Sequence, residues 1–245
     1  MLRVRKNVYL CTSIFNEITI EEMKKVTVML MFALAMAFGA TAQNDSIQTP
    51  ERETITQSIA VNAGLSFANA EYHSAIKTSP TQAATLRYSL DWNIGKRLSL
   101  SAQPELAYLT ENFETANGVD HEIHNSWAVR AGIAVSVGYR VTNAFKVSLG
   151  VGGLANMVSG TTVNTFQTDA EGNPDESTWQ NGTPSTNILT HPSMGYGKWI
   201  AQFEATYDIN EHWYASVYAR ELFNSMFTPS HTIVMLGIGY NFDFE

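Results

Sequence analysis

One cysteine, Cys11, stands among 245 residues, and only 16% of the chain is charged. Average proteins carry about 25% charged residues. Cys11 lies ahead of the single long apolar run, so the chain beyond that run has no thiol. Disulfides and cysteine-ligated metals are excluded there. Cys11 also lacks the small residues that precede a lipidated cysteine. No further long apolar run follows residue 42, which argues against a bundle of membrane helices. Basic excess is missing as well. Beyond residue 42 there remain ten Lys and Arg against twenty Asp and Glu, a balance that disfavours nucleic acid as a partner. No phosphate loop or dinucleotide fingerprint occurs. A hydrophobic fraction of 44% argues against disorder.

The one apolar run follows Met23-Lys24-Lys25 and ends at Ala40-Thr41-Ala42. A basic start, an apolar middle and an A-x-A end form the layout of a secretory signal peptide cleaved after Ala42. No basic stop-transfer flank follows, which weighs against a membrane anchor. Residues 1–22 read as an upstream extension. The start is Met1 or Met23, and the lysines directly behind Met23 favour the second. Residues 43–56 are polar, contain Pro50 and read as a periplasmic lead-in.

From residue 57 to 245 apolar and polar residues alternate in segments of about ten, a strand signal. Ile59, Val61, Ala63, Leu65 and Phe67 share one face; Ser58, Ala60, Asn62, Gly64 and Ser66 share the other. About eight such segments lie near 57–69, 83–94, 97–110, 125–140, 145–157, 196–209, 212–223 and 232–244. Their connections alternate between tight turns (95–97, 141–144, 210–211) and longer stretches (70–82, 111–124, 158–195, 224–231). Short periplasmic turns and long outer loops are the habit of outer-membrane barrels. The expected fold is therefore all-β: a transmembrane antiparallel up-and-down β-barrel of about eight strands, with both termini periplasmic.

A soluble barrel would turn its apolar face inward. Here the large apolar residues share one face. The other carries Gly, Ser and Ala together with Arg87, Asp91, Glu105, Arg130, Arg140, Lys146, Lys198, Glu204, Asp208, Arg220 and Asp243. These charges are expected to line the lumen, nearly balanced and paired, because an unpaired buried charge is very costly. Strand direction places Arg87, Glu105, Arg130 and Arg220 in the outer half, and Glu204, Asp208, Arg140 and Lys146 lower. Glu221, which breaks the apolar face of its segment, is expected at the membrane edge. Trp92, Tyr108, Trp127, Tyr139, Trp213 and Tyr240 fall near strand ends, as interfacial girdles require.

The last segment, His231 to Glu245, carries Gly237, Tyr240 and Phe242 in a Gly-x-x-aromatic-x-aromatic pattern, which Gly239, Phe242 and Phe244 repeat. This resembles the assembly signal of outer-membrane proteins, although Glu245 follows the final aromatic. With the Ala42-Gln43 junction, the chain resembles the small outer-membrane β-barrel proteins of Bacteroidetes, similar in architecture to OmpA, OmpX and OmpW barrels. The resemblance implies insertion by the barrel-assembly machinery, contact with outer-membrane lipid and lipopolysaccharide, and a monomer.

Catalytic and metal chemistry find little support. His124-Asn125-Ser126 places His and Ser on one strand face, as a lipid A deacylase would, but that face points to the lumen. His191-Pro192-Ser193 falls in a loop. The stretch 111–124 holds Glu111, Glu114, Asp120, His121, Glu122 and His124 without a recognised ligand spacing, and reads as a solvated acidic loop. Trp179 in the stretch 158–195 reads as a loop-packing residue. No catalytic residue, metal or cofactor is expected. The expected function is a non-enzymatic surface barrel, structural, adhesive or ligand-contacting through its outer loops. The alternatives are a small pore or conduit for apolar solutes, and a lipid A-modifying enzyme.

Overall fold

The structure, a computed structural model, describes residues 55–94, 97–188, 198–223 and 228–242. The upstream extension, the signal peptide and nearly all of the lead-in lie outside these residues. So do Asp243, Phe244, His191 and the side chain of Lys198.

In chain order the elements are β1 (Ile55–Ala68), α1 (Ala70–His73), β2 (Lys77–Thr78), β3 (Thr81–Ile94), β4 (Leu98–Asn117), β5 (Asp120–Arg140), β6 (Phe145–Thr168), β7 (Pro174–Gln180), β8 (Ser185–Ile188), β9 (Lys198–Asp208), β10 (Trp213–Phe223) and β11 (Pro229–Phe242). Eight of them close a ring of antiparallel pairs, β1-β3-β4-β5-β6-β9-β10-β11 and back to β1. Strands β2, β7 and β8 pair onto the long strands outside this ring.

The ring is sheared. Following paired residues from Gln57 leads through Leu90, Ala102, Val135, Val151, Ala201, Glu221 and Thr232 to Phe67. The path returns to β1 ten residues further on. Such a stagger tilts the strands against the axis and fixes the interior at a width that side chains can fill.

Period-two alternation puts each strand's large apolar residues outside. Val61, Leu65, Leu86, Leu106, Ile133, Val137, Leu149, Val151, Leu236 and Ile238 are all exposed. Ser58, Asn62, Ser66, Ser101, Ser136 and Ser216 are buried inside. A soluble protein would show the reverse. An exposed apolar belt around a closed sheet with a polar interior is a transmembrane barrel. Glu221 faces outward at the belt's margin, where its Oε2 accepts from Thr232 Oγ1 at 2.8 Å.

The outer stretches differ most from the sequence expectation. Spanning a bilayer takes about 9–11 tilted residues, yet β4, β5 and β6 run to 20, 21 and 24. The stretch 111–124 is not a loop. It continues β4 and β5 in register to Asn117↔Asp120, around a two-residue turn in which Gly118 supplies φ 67°. The stretch 158–195 likewise holds the end of β6 with β7 and β8 paired to it. A bulge helps: Val129 pairs with Val158 but Arg130 with Asn156, so Met157 is the extra residue. In the β6 extension Thr161, Thr162, Val163, Thr165 and Thr168 are β-branched residues that suit a strand. The reading as loops followed polarity, and polarity there marks water rather than irregular backbone.

The glycines of the last strand have a packing reason beyond any assembly signal. A Cβ on Gly239 would stand 2.1 Å from the Tyr214 ring, and one on Gly237 would stand 1.8 Å from Asn62 Oδ1. We therefore expect Gly239→Ala to lower the yield of heat-modifiable barrel and Tyr214→Ser to restore it in the double variant. Gel mobility before and after boiling reads the result; absence of rescue would assign Gly239 to recognition by the assembly machinery instead.

Candidate functional site in the lumen and at its mouth

The inward positions of each strand form layers, named here by the short-turn end, where Ile55 and Phe242 lie, and the extended end. Nearest the short turns, Arg140 Nη1 meets Asp208 Oδ2 at 2.7 Å and Lys146 Nζ meets Asp91 Oδ2 at 3.0 Å. The Asp91 carboxylate also accepts from Ser101. A polar cavity of about 180 Å³ opens at this end, lined among others by Arg87, Lys146, Glu204, Asp208 and Tyr214.

The next layer is the most buried. Arg220 grips Glu105 through both guanidinium nitrogens, at 2.6 and 2.7 Å. Arg87 pairs with Glu204. Tyr218 stands between the two cations, its ring centre 5.3 Å from Arg87 Cζ and 4.8 Å from Arg220 Cζ. Its hydroxyl donates to Gln202 Oε1 at 2.7 Å, and Gln202 Nε2 donates to Gln103 at 2.6 Å. Charge-assisted pairing and ring contacts offset the charge of cations that the lumen would otherwise strand, while Arg87 Nε and Nη1 and Arg220 Nε are buried without a hydrogen-bond partner.

Arg87 and Glu204 were expected at different heights, and they are side by side. Strand tilt is the reason: residues equally far from their strand ends are not level once the ring is sheared, and a guanidinium reaches several ångströms. Arg130 also differs from its expected companions. It stands apart at the extended end, where Nε donates to Asn156 Oδ1 at 2.6 Å and Nη2 lies 3.6 Å from Glu111 Oε1.

Between Arg130 and the main charge layer lies an apolar one that the sequence reading missed. Leu109, Leu154, Ile200, Leu222, Ile233 and Met235 pack there with Tyr218 and three alanines, each almost wholly buried. Seven of the eight ring strands, all but β1, contribute one or two residues of this cluster at polar-parity positions, so no single segment looks apolar on its inner face. Gln103, Gln202 and Tyr218 escaped for a similar reason: uncharged side chains give no contrast with the Ser and Thr around them. Reading the inward positions of β10 as one column (Tyr214, Ser216, Tyr218, Arg220, Leu222) would have found Tyr218 and Leu222.

At the extended end the inner face carries His231, His73, Phe113 and His124. His73 stacks on Phe113 at 4.3 Å and Phe113 on His124 at 4.7 Å, while His73 meets His231 edge-on at 5.5 Å. His124 engages Glu122 at 3.1 Å and Ser126 engages Thr161 at 3.1 Å, so the His-x-Ser pair is held by other partners. On the opposite face His121 meets Glu114 at 2.7 Å and stacks on Phe166, which stacks on Trp179. The Trp179 indole donates to Asn181. A groove of about 650 Å³ runs beside them, lined by Asn117, Asp120, Gln167, Thr178 and Gln180 among others. In the exposed strand β7 nearby, Asp175 is held below the usual carboxylate range by the hydroxyl and backbone N–H of Ser177.

No family model matches this chain, and no curated protein does. Among solved structures, the attachment invasion locus protein Ail of Yersinia pestis is 7% identical, with 78% of this chain and 100% of that one covered and a TM-score of 0.41. Neisserial surface protein A is 11% identical over 78% and 100%, with a TM-score of 0.36. The outer membrane protein OprG from Pseudomonas aeruginosa is 12% identical over 76% and 96%, with a TM-score of 0.30. Identities this low carry no residue role across to this chain.

The layered pairs predict a sharp asymmetry. Arg220→Met alone leaves Glu105 charged and buried, and is expected to cost about 3–5 kcal/mol, whereas Arg220→Met with Glu105→Leu is expected to be far milder. Urea unfolding of the barrel in lipid vesicles measures both. Equal losses in the single and double variants would show that the pair does not bear on stability.

Proposed function

We propose that this protein is a non-enzymatic, non-conducting outer-membrane barrel whose extended strands present a contact surface outside the cell. The observation that carries this reading is the filled lumen. A charge layer of interlocked pairs and an apolar layer of buried Leu, Ile and Met lie in series across an eight-stranded interior. The cavity of about 180 Å³ opens at the short-turn end and reaches no further than the Arg87–Glu204 layer.

The length of β4, β5 and β6 supports the surface role. Paired backbone beyond the belt makes a rigid platform, and rigid platforms suit recognition better than free loops. On this reading the short turns and both described ends face the periplasm and the extensions face outward. The apolar belt meets outer-membrane lipid, and the polar margin meets lipopolysaccharide. Assembly machinery inserts the chain, reading the glycines and aromatics of β11, and the barrel functions as a monomer.

Planar-bilayer recording of the full chain tests the filled lumen. No steady single-channel current is expected. A large, stable current would favour the pore reading instead. Joining Asn112 to Asn125 through Gly-Gly is expected to leave the yield of heat-modifiable barrel unchanged, because the β3–β4 pairing that closes the ring there ends at Ala83↔Leu109, below that point. A collapse in yield would show that the extension holds the barrel together rather than serving a partner.

A further inference from the structure

We propose that His73, Glu111 and His231 form a binding site for a divalent transition-metal ion, zinc by ligand chemistry, at the extended mouth of the lumen. One ligand atom from each of the three residues lies within 4.8 Å of the others. They come from three separate elements: the α1 turn, β4 and β11. The proposal does not depend on the surface role.

The His231 ring is held from its outer nitrogen. Ser230 Oγ lies 3.1 Å from the Leu222 carbonyl and 3.0 Å from His231 Nδ1. When the hydroxyl donates to the carbonyl it accepts from Nδ1–H, and Nε2 offers its lone pair to an ion. That nitrogen stands 3.0 Å from Glu111 Oε1, in a site where His231 is 1% exposed. An ion there would be held by both atoms. A hydrogen bond that fixes the outer nitrogen and points the inner one at an ion is the usual second layer of a histidine metal site.

His73 supplies what a simple imidazolium–carboxylate pair would not need, a second imidazole turned towards the same point. Its position is built. Asn69 caps α1 by accepting from the Glu71 and Tyr72 backbone N–H groups. The Asn69 N–H donates to the Ser230 carbonyl at 2.9 Å, and the Ile76 N–H to the Glu114 carbonyl at 2.8 Å. The turn is thus clamped over the mouth between β11 and β4, and Phe113 holds the ring by stacking. Two imidazoles and one carboxylate with an open fourth position suit zinc, with Zn–N and Zn–O distances near 2.0–2.2 Å. Arg130, anchored on Asn156, shares the Glu111 carboxylate. Its charge opposes a dication, so affinity should fall below that of a His₂Glu site with no neighbouring cation. The carboxylate has lone pairs enough for both.

The test uses the full barrel, folded in detergent and stripped with a chelator. Zinc alone is titrated by calorimetry, and cobalt is added in parallel for its visible ligand-field bands. Wild-type protein is expected to take up one ion and to show the intensity of a four-coordinate cobalt site. His73→Gln, Glu111→Gln and His231→Gln should each weaken binding by more than about tenfold, and Ser230→Ala by about 10–100-fold through the ring it holds. Heat-modifiable mobility confirms that each variant is folded, and His73→Gln, outside the barrel strands, keeps the test valid if the other two misfold. Absence of zinc uptake by the wild type would overturn the proposal. So would binding unchanged by His73→Gln, or a His231 ring protonated on both nitrogens while the stripped and the zinc-treated protein give identical spectra.

Discussion

Every backbone polar group in the bilayer must find its partner within the protein, and the pairing of β1 with β11 is what allows it. Without that seam the sheet would leave two unpaired edges in hydrocarbon. With it, the sheet becomes a cylinder whose radius follows from strand number and shear. The inside is then a fixed small volume. Every second residue of eight strands must share it, which explains why small side chains and paired charges dominate there. Tyr218 between Arg87 and Arg220, and Gly239 beneath the Tyr214 ring, are two solutions to one shortage of space.

That narrow interior is organised along its axis. Charges meet charges in two tiers, and an apolar tier separates the main one from the mouth. The separation matters to the chemistry at either end. Glu111, His231 and Arg130 are cut off from the Arg220–Glu105 network by Leu109, Leu222 and Ile233, so the mouth behaves as a site of its own. The long β4–β5 hairpin and the α1 turn bring residues to that mouth that a barrel with ordinary loops could not hold in place. Glu111 shows this well. In a mobile loop it would be one more solvated acid; in a strand continued past the belt it is fixed towards the axis.

Much of the fold was legible because alternation reports which side of a sheet a residue occupies. The eight ring strands, the inverted polarity and the outward Glu221 all follow from that period. The extensions were not legible as strands, since both of their faces meet water and polarity loses its period. Asn117-Gly118 flanked by alternating residues was the available signal, and it was outweighed by the acidic residues around it. The charged lumen residues were legible one by one, but their partners were not. Arg87 meets Glu204 and Arg130 meets Glu111 only because tilt and reach bring them together, and neither is written in spacing along the chain. His231 was visible in the last strand, yet nothing local distinguished it from a residue that merely begins a strand.

By itself the sequence determined the period of two, the face that is apolar and the order of short and long connections. Those are properties of neighbours along the chain, and they suffice for a transmembrane barrel with a polar interior. Shear, the layering of the lumen and the meeting of His73, Glu111 and His231 were decided only by tertiary structure. They depend on the register between strands far apart in the chain. A shift of two residues there would preserve every alternation and change every partner.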